Sequence, residues 1–304
     1  MHGGILHVNH IKDQIHCERA YRMGLSGKGI GVAVLDTGIF LHRDFDSRVT
    51  GFADMVNRRN FAYDDCGHGT HICGIIGGSG RMSGGRYSGI APGCNLIMVK
   101  VLDRKGNGYS SDVLAGISGV LERKEQLGIR ILNISVGACS KRGMSENSAL
   151  VKGVNRAWDA GLVVVVAAGN NGPRTMSITT PGISRKVITV GCSDDDREVL
   201  VGGNRMVDYS GRGPTAACIC KPDLVAPGCS VVSCSSRADK YTIKSGTSMS
   251  TPIVSGAVAL LLERFPDMTN KDVKLRLRES SVDIGLPRNQ QGWGLLDVGK
   301  MLER

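Results

Sequence analysis

Two hydrophobic periods alternate along this chain. Nearly continuous apolar runs at 30–35, 95–102, 130–134, 162–168 and 186–191 have the character of strands buried on both faces of a parallel sheet. Between them, residues 11–25, 111–127 and 148–160 place apolar side chains at helical spacing; in the first these are Ile11, Ile15, Ala20, Met23 and Leu25. Strand-length and helix-length segments in alternation predict an α/β fold, a doubly wound, mostly parallel sheet with helices on both faces. Further on, Tyr241–Ile243 alternates like a short strand. Residues 252–264 read as a buried helix whose Ser255, Gly256, Ala257 and Ala259 permit close packing. Pro252 suits the first turn of that helix, where a missing N–H leaves no bond unmade. With 304 residues, no repeat, no low-complexity tract and no linker-like stretch, the chain reads as one domain spanning 1–304, residues 1–28 packing on its core.

Polar residues interrupt this pattern at the ends of the strands. Asp36 closes the 30–35 run, where open α/β sheets build their sites; an Asp that starts a turn is the plainer account. His68 and His71 flank small residues at the start of an apolar helix. Their spacing resembles that of a metal pair, but the acidic companion of a zinc helix is missing. A general-base histidine beside a structural one fits better. Asn170 and Asn171 follow the 162–168 run in a glycine-flanked turn. Ser248 stands where a loop feeds a helix N-terminus, whose dipole and free N–H groups favour negative charge. Taken alone, a Ser or Thr there is as readily an N-cap. Gly27, Gly29 and Gly31 precede their strand instead of following it, which is the wrong order for a dinucleotide cradle and makes them a turn.

Four segments, taken in order, carry a resemblance. Asp36-Thr37-Gly38, Gly67-His68-Gly69-Thr70-His71, Ala167-Ala168-Gly169-Asn170 and Gly246-Thr247-Ser248-Met249-Ser250-Thr251-Pro252 resemble the subtilisin-like serine proteases. Lesser echoes at 89–92, 133–135, 210–214, 223–227 and 292–297 extend the resemblance over about residues 10–303, and the pattern is nearest to cytosolic bacterial subtilisins. The resemblance implies a serine endopeptidase with Ser248 as nucleophile, His68 as general base and acid, and Asp36 orienting it. Asn170 and the Ser248 N–H would then meet the oxyanion. It further implies an extended substrate, with Ser135, Val136 and Gly137 as one wall and Ala168 and Gly169 as part of the specificity pocket. Asn171 follows the oxyanion residue, and Thr179 and Thr180 narrow or open that pocket. Its uncharged lining predicts uncharged side chains at the cleaved position. Two alternatives stand beside this: a dedicated processing protease or esterase for a single precursor, and a latent peptide-binding homologue, against which the four intact residues argue.

The resemblance requires no cofactor. Calcium is the one ion it suggests, because Asp44, eight residues past Asp36, matches the family's calcium-binding carboxylate. The loop 79–88 offers no Asn or Asp, so the tight site looks incomplete. Cys218, Cys220, Cys229 and Cys234 are a second metal candidate, with spacing unlike that of zinc knuckles, and Asp194, Asp195 and Asp196 read as a solvated turn.

Composition narrows the partners. Net charge is +10, from 38 basic and 28 acidic residues, but the two signs are interleaved without aromatic residues between them. That predicts no nucleic-acid partner. No apolar run reaches transmembrane length, so no membrane partner is expected either. A peptide or protein substrate remains, with no oligomeric state readable. Ten cysteines scattered through apolar segments point to free thiols in a reducing compartment. Residues 1–10 lack a signal-type apolar stretch, which gives a cytoplasmic reading, or a secreted one if the chain is a processed product. Cys66, two residues before His68, predicts activity sensitive to thiol reagents.

Overall fold

The structure, a computed structural model, describes residues 8–137 and 146–303, so the first seven residues of the N-terminal segment fall outside it. Its strands are β1 (Gly31–Asp36), β2 (Val49–Asp54), β3 (Asn95–Lys100), β4 (Ile129–Ile134), β5 (Val163–Ala167) and β6 (Ile188–Cys192). After a hairpin of β7 (Val199–Val201) and β8 (Asn204–Met206) come β9 (Leu224–Ala226) and a second antiparallel pair, β10 (Val231–Cys234) and β11 (Tyr241–Lys244). Seven strands form one parallel sheet in the order β2-β3-β1-β4-β5-β6-β9. Every residue of β1 and β5 is buried, as continuous apolar runs require.

Helices cover both faces. The first described helices are α1 (Val8–Gln14) and α2 (Glu18–Arg22), followed by α3 (His68–Gly77), α4 (Ser110–Arg123), α5 (Ala149–Asp159), α6 (Thr247–Arg264) and α7 (Asn270–Ser280). α3 packs on α6, and α4 on α5. The two pairs lie on opposite sides of the sheet: Met98 of β3 reaches Gly69 in α3, while its neighbour Val99 reaches Gly116 in α4. From β1 the chain winds outward to β2 and β3 on one side, then crosses to β4 on the other. β1 is therefore a switch point, and the crevice beyond its carboxyl end is where such a sheet holds a site.

Two local readings change. The 11–25 stretch is two helices, not one, broken at His16, whose φ is +55°. The ring of His16 meets the carboxylate of Asp297 at 3.0 Å, a partner at the far end of the chain, and the Cys17 N–H closes the break on the Lys12 carbonyl. Ile11, Ile15, Cys17 and Ala20 still face the main core, and the Glu263 carboxylate of α6 accepts the amides of Ser26 and Gly27. Pro252 lies in the second turn of α6, because that helix starts at Thr247 and not at the proline. Its missing N–H leaves the Ser248 carbonyl without a helical donor.

Candidate active site

Asp36 ends β1, His68 opens α3, Asn170 follows β5 and Ser248 is the second residue of α6. The Asp36 side chain is fully buried; its Oδ1 accepts the Thr37 N–H at 2.8 Å and the His68 Nδ1–H at 2.7 Å. That bond assigns the ring proton to Nδ1 and leaves Nε2 as the basic face. The His68 side chain keeps 23% of its surface open. The two segments meet with no space to spare, since a β-carbon on Gly69 would stand 2.2 Å from the Gly38 carbonyl oxygen. Glycine at both places is what lets the imidazole reach the carboxylate.

Two supporting residues escape a sequence reading. Asp64 accepts the amides of Cys66, Gly67 and Thr70 and the hydroxyls of Thr37 and Thr70, so one carboxylate fixes the turn that carries His68. Lys100, fully buried at the end of β3, donates to the carbonyls of Thr37 and Leu102 and to Asp65. Neither stands out in sequence, because a lone Asp in a loop and a lone Lys after an apolar run are ordinary surface features.

His71 has the structural character expected of it. It is fully buried, and its Nε2–H is shared between the carbonyls of Val231 and Thr242 at 3.1 and 3.2 Å. Burial, then Lys244 and His68, lower its pKa from 6.5 to about 3. Unfolding frees this imidazole to take a proton, so stability is fully present above pH 6.5 and is lost as pH falls toward 3. The expected slope from this group is about 1.4 kcal/mol per pH unit. Denaturant unfolding of wild type and His71→Gln through that window checks it; equal slopes would show that His71 contributes nothing.

The Ser248 hydroxyl donates to the Ser135 carbonyl at 2.7 Å. With His68 and Asn170 it lines a cleft of ≈ 560 Å³, whose other walls include Leu200, Val201, Ile243 and Lys244. Asn170 Oδ1 accepts both the N–H and the hydroxyl of Thr247 at 3.0 Å, and the Thr247 oxygen accepts the Gly169 N–H at 3.2 Å. This occupies the oxygen end of the amide and leaves its NH2 end as the donor. The Ser135 side chain points away, accepting from Asn133, so that residue contributes its backbone.

Thr179 stands between the two backbone walls. β-Carbons on Gly137 and Gly169 would fall 2.2 and 2.4 Å from its side chain, and it is held by two bonds to the Ala168 carbonyl. A second cleft, ≈ 220 Å³, runs on from Val136 and Gly137 past Thr180, Pro181, Leu102 and Tyr109. Asn171 is exposed and lines neither cleft.

The remaining candidates are engaged with neighbouring groups or lie apart. Asp44 is fully buried, its Oδ1 accepting the Met82 N–H and its Oδ2 the Tyr241 hydroxyl, with His42 and Cys234 as further neighbours. One carboxylate with both oxygens engaged does not fit a calcium ion that wants six to eight oxygens. The four cysteines do not gather: Cys218 and Cys220 are exposed, Cys234 sits against Asp44, and Cys229 faces Tyr209. The Asp194–Asp196 turn is not simply solvated either. Asp195 is buried on the Ser210 N–H, and Asp194 accepts the amides of Gly228 and Cys229. Burial raises the pKa of Cys66, and that of the fully buried Cys73 further, which lowers the thiolate fraction beside His68 and weakens the expected sensitivity to thiol reagents.

Comparison with known proteins agrees with this geometry. Residues 27–294 match the model of the Subtilase family. The chain is 42% identical over 285 residues to Serine protease AprX of Bacillus subtilis (strain 168), covering 88% of this chain and 64% of that one. It is 32% identical to Subtilisin DY of Bacillus licheniformis, covering 93% and 94%. Among solved structures it is similar to Sphericase, with a TM-score of 0.75, 31% identity and coverage of 90% and 93%. Motif order, sheet topology and these likenesses agree: the chain belongs to the subtilase family, the subtilisin-like serine proteases.

Proposed function

We propose that this chain is a serine endopeptidase in which Ser248, His68 and Asp36 form the reacting triad and Asn170 the oxyanion donor. The observation that carries the reading is the 2.7 Å bond from His68 Nδ1 to buried Asp36, with His68, Asn170 and Ser248 on one cleft. A serine hydroxyl is a weak nucleophile at neutral pH, so its proton passes to His68 Nε2 as the Ser248 oxygen attacks the peptide carbonyl. Asp36 stabilises the imidazolium formed. The negative oxygen of the tetrahedral intermediate takes hydrogen bonds from the Asn170 amide and the Ser248 N–H. His68 then returns the proton to the leaving amine, and water repeats the sequence to release the acyl group. The Ser135 carbonyl, which holds the Ser248 hydroxyl, is also the acceptor that an extended substrate backbone meets at that wall. Substrate N–H groups would take it over and free the hydroxyl for His68.

Specificity follows from Thr179. Its uncharged side chain fills the space between Gly137 and Gly169, so small uncharged side chains are favoured at the cleaved position. A peptide-library profile tests the activity and this preference together. Thr179→Gly should shift the profile toward aromatic residues and raise kcat/KM for them at least about tenfold, the scale on which pocket volume discriminates. An unchanged profile, or a wild-type preference for Arg or Lys, would refute the pocket assignment.

The same reading has the protein working without calcium, in the cytoplasm. Asp44 supports the first, and the nine free cysteines among the described residues support the second. Among the described residues no helix is long and apolar enough to cross a membrane. Calcium added to the metal-free protein should leave its melting temperature unchanged; a saturable rise would show ligands at Asp44 that its hydrogen bonds conceal.

A further inference from the structure

Beneath the cleft, three ligand-bearing side chains meet that the proposed mechanism does not use. Cys192 ends β6, Asp194 lies two residues on, and Cys229 lies in the turn after β9. Their ligand atoms all fall within 4.8 Å of one another. Tyr209 closes the group, its hydroxyl 3.2 Å from the Cys192 sulfur and 3.1 Å from that of Cys229. We propose that Cys192, Cys229 and Asp194 form a binding site for a soft divalent cation of the zinc class, directly below the loop that presents Ser248.

The donor set selects the ion. Two thiols favour zinc or cadmium over calcium and magnesium, which want oxygen. Tetrahedral zinc with bonds of about 2.3 Å to sulfur and 2.0–2.2 Å to oxygen needs ligand atoms roughly 3.3–3.8 Å apart. The Cys192 sulfur and Asp194 Oδ1 already stand at 3.1 Å, close to that separation. Asp194 Oδ1 is committed to the Gly228 and Cys229 amides, whereas its Oδ2 is buried with no hydrogen-bond partner among the described residues. A second oxygen in this condition borders the cluster. Ser250 is fully buried, and its Oγ also has no partner. It crowds the same face of Gly228 as Cys192: a β-carbon there would meet the Ser250 oxygen at 2.4 Å and the Cys192 sulfur at 2.9 Å.

Access and consequence both favour this cluster over His42, Asp44 and Cys234. All three of those are fully enclosed, and both Asp44 oxygens are engaged, whereas Asp194 keeps part of its surface open to solvent. Residues that touch the ligands also hold the active-site loops. Gly228 accepts the Gly246 N–H at 3.0 Å, and Tyr209 accepts the Gly172 N–H at 2.9 Å. An ion on Cys192 and Cys229 thus ties together the turns that carry Ser248 and Asn170. Binding forms two metal–sulfur bonds and sends the two thiol protons to solvent with no change of oxidation state, so affinity rises with pH.

The test is titration of the reduced, metal-free full chain with cobalt(II), then zinc. The expected result is one equivalent of cobalt with thiolate charge-transfer absorption, displaced by zinc, and a melting temperature that rises until one equivalent of zinc is bound. Cys192→Ser/Cys229→Ser should abolish the band and the rise, while Cys218→Ser/Cys220→Ser keeps both. No band in the wild type, or a band that survives in Cys192→Ser/Cys229→Ser, overturns the site. If that variant does not fold, zinc X-ray absorption on the Cys218→Ser/Cys220→Ser protein decides. Two sulfur neighbours at about 2.3 Å support the site; a shell of oxygen and nitrogen alone overturns it. None of these readouts depends on protease activity.

Discussion

Ser248→Ala is expected to fold like the wild type and to lose peptide hydrolysis by a factor on the order of 10⁶ in kcat, the magnitude for the corresponding serine in subtilisin. The fold should survive because the one hydrogen bond at stake is to the Ser135 carbonyl at the lip of the cleft. Alanine is also a good residue for a first helical turn. Activity should vanish because no other described residue of the cleft is an activated nucleophile: Ser245 lies on its wall away from His68, and the Ser250 hydroxyl is buried. Progress curves on a small peptide substrate, with circular dichroism on the same sample, separate the two effects. Residual activity above a thousandth of wild type would mean that another group attacks the carbonyl.

Asn170 should give the second largest effect, and a pair of substitutions separates its two ends. Asn170→Ala removes the donor and also strips the Thr247 N–H of its acceptor. Turnover should fall about 10²–10³-fold with KM little changed, the loss known for the oxyanion asparagine of subtilisin. Stability should fall by about 1–2 kcal/mol as well, from the unpaired amide at the helix start. Asn170→Asp keeps the acceptor for Thr247 and puts a negative charge where the oxyanion forms. It should melt nearer the wild type than Asn170→Ala does, yet turn over no faster. If Asn170→Asp retained wild-type kcat, the amide would not be the oxyanion donor. Equal melting of the two variants would instead show that the Thr247 bond adds nothing.

What the sequence disclosed followed from how far each signal reaches. Strands β1 and β5 are continuous apolar runs, and a strand buried on both faces leaves that mark in its own residues. The motifs around Asp36, His68, Asn170 and Ser248 were legible because backbones that approach as closely as Gly38 and Gly69 admit only glycine. The break at His16 was not legible. Its apolar spacing continues across the break, and the group that receives the turned ring is Asp297, at the other end of the chain. Pro252 misled because proline marks the first turn of many helices; here the helix starts five residues earlier, at Thr247, whose N–H is bonded to Asn170. Asp64 and the Cys192–Cys229 pair depend on contacts between segments, which no local pattern records. Thr179 was named for its place in the family pattern. That it fills the space between Gly137 and Gly169 required coordinates.

Whether one serine is made nucleophilic by one imidazole is tested directly by an active-site-directed fluorophosphonate read by peptide mass spectrometry. The predicted result is one adduct per chain, on Ser248, formed at the rate at which peptidase activity disappears and almost absent in His68→Ala. Loss of activity with the adduct on another residue, or labelling of Ser248 that proceeds equally well without His68, would contradict it.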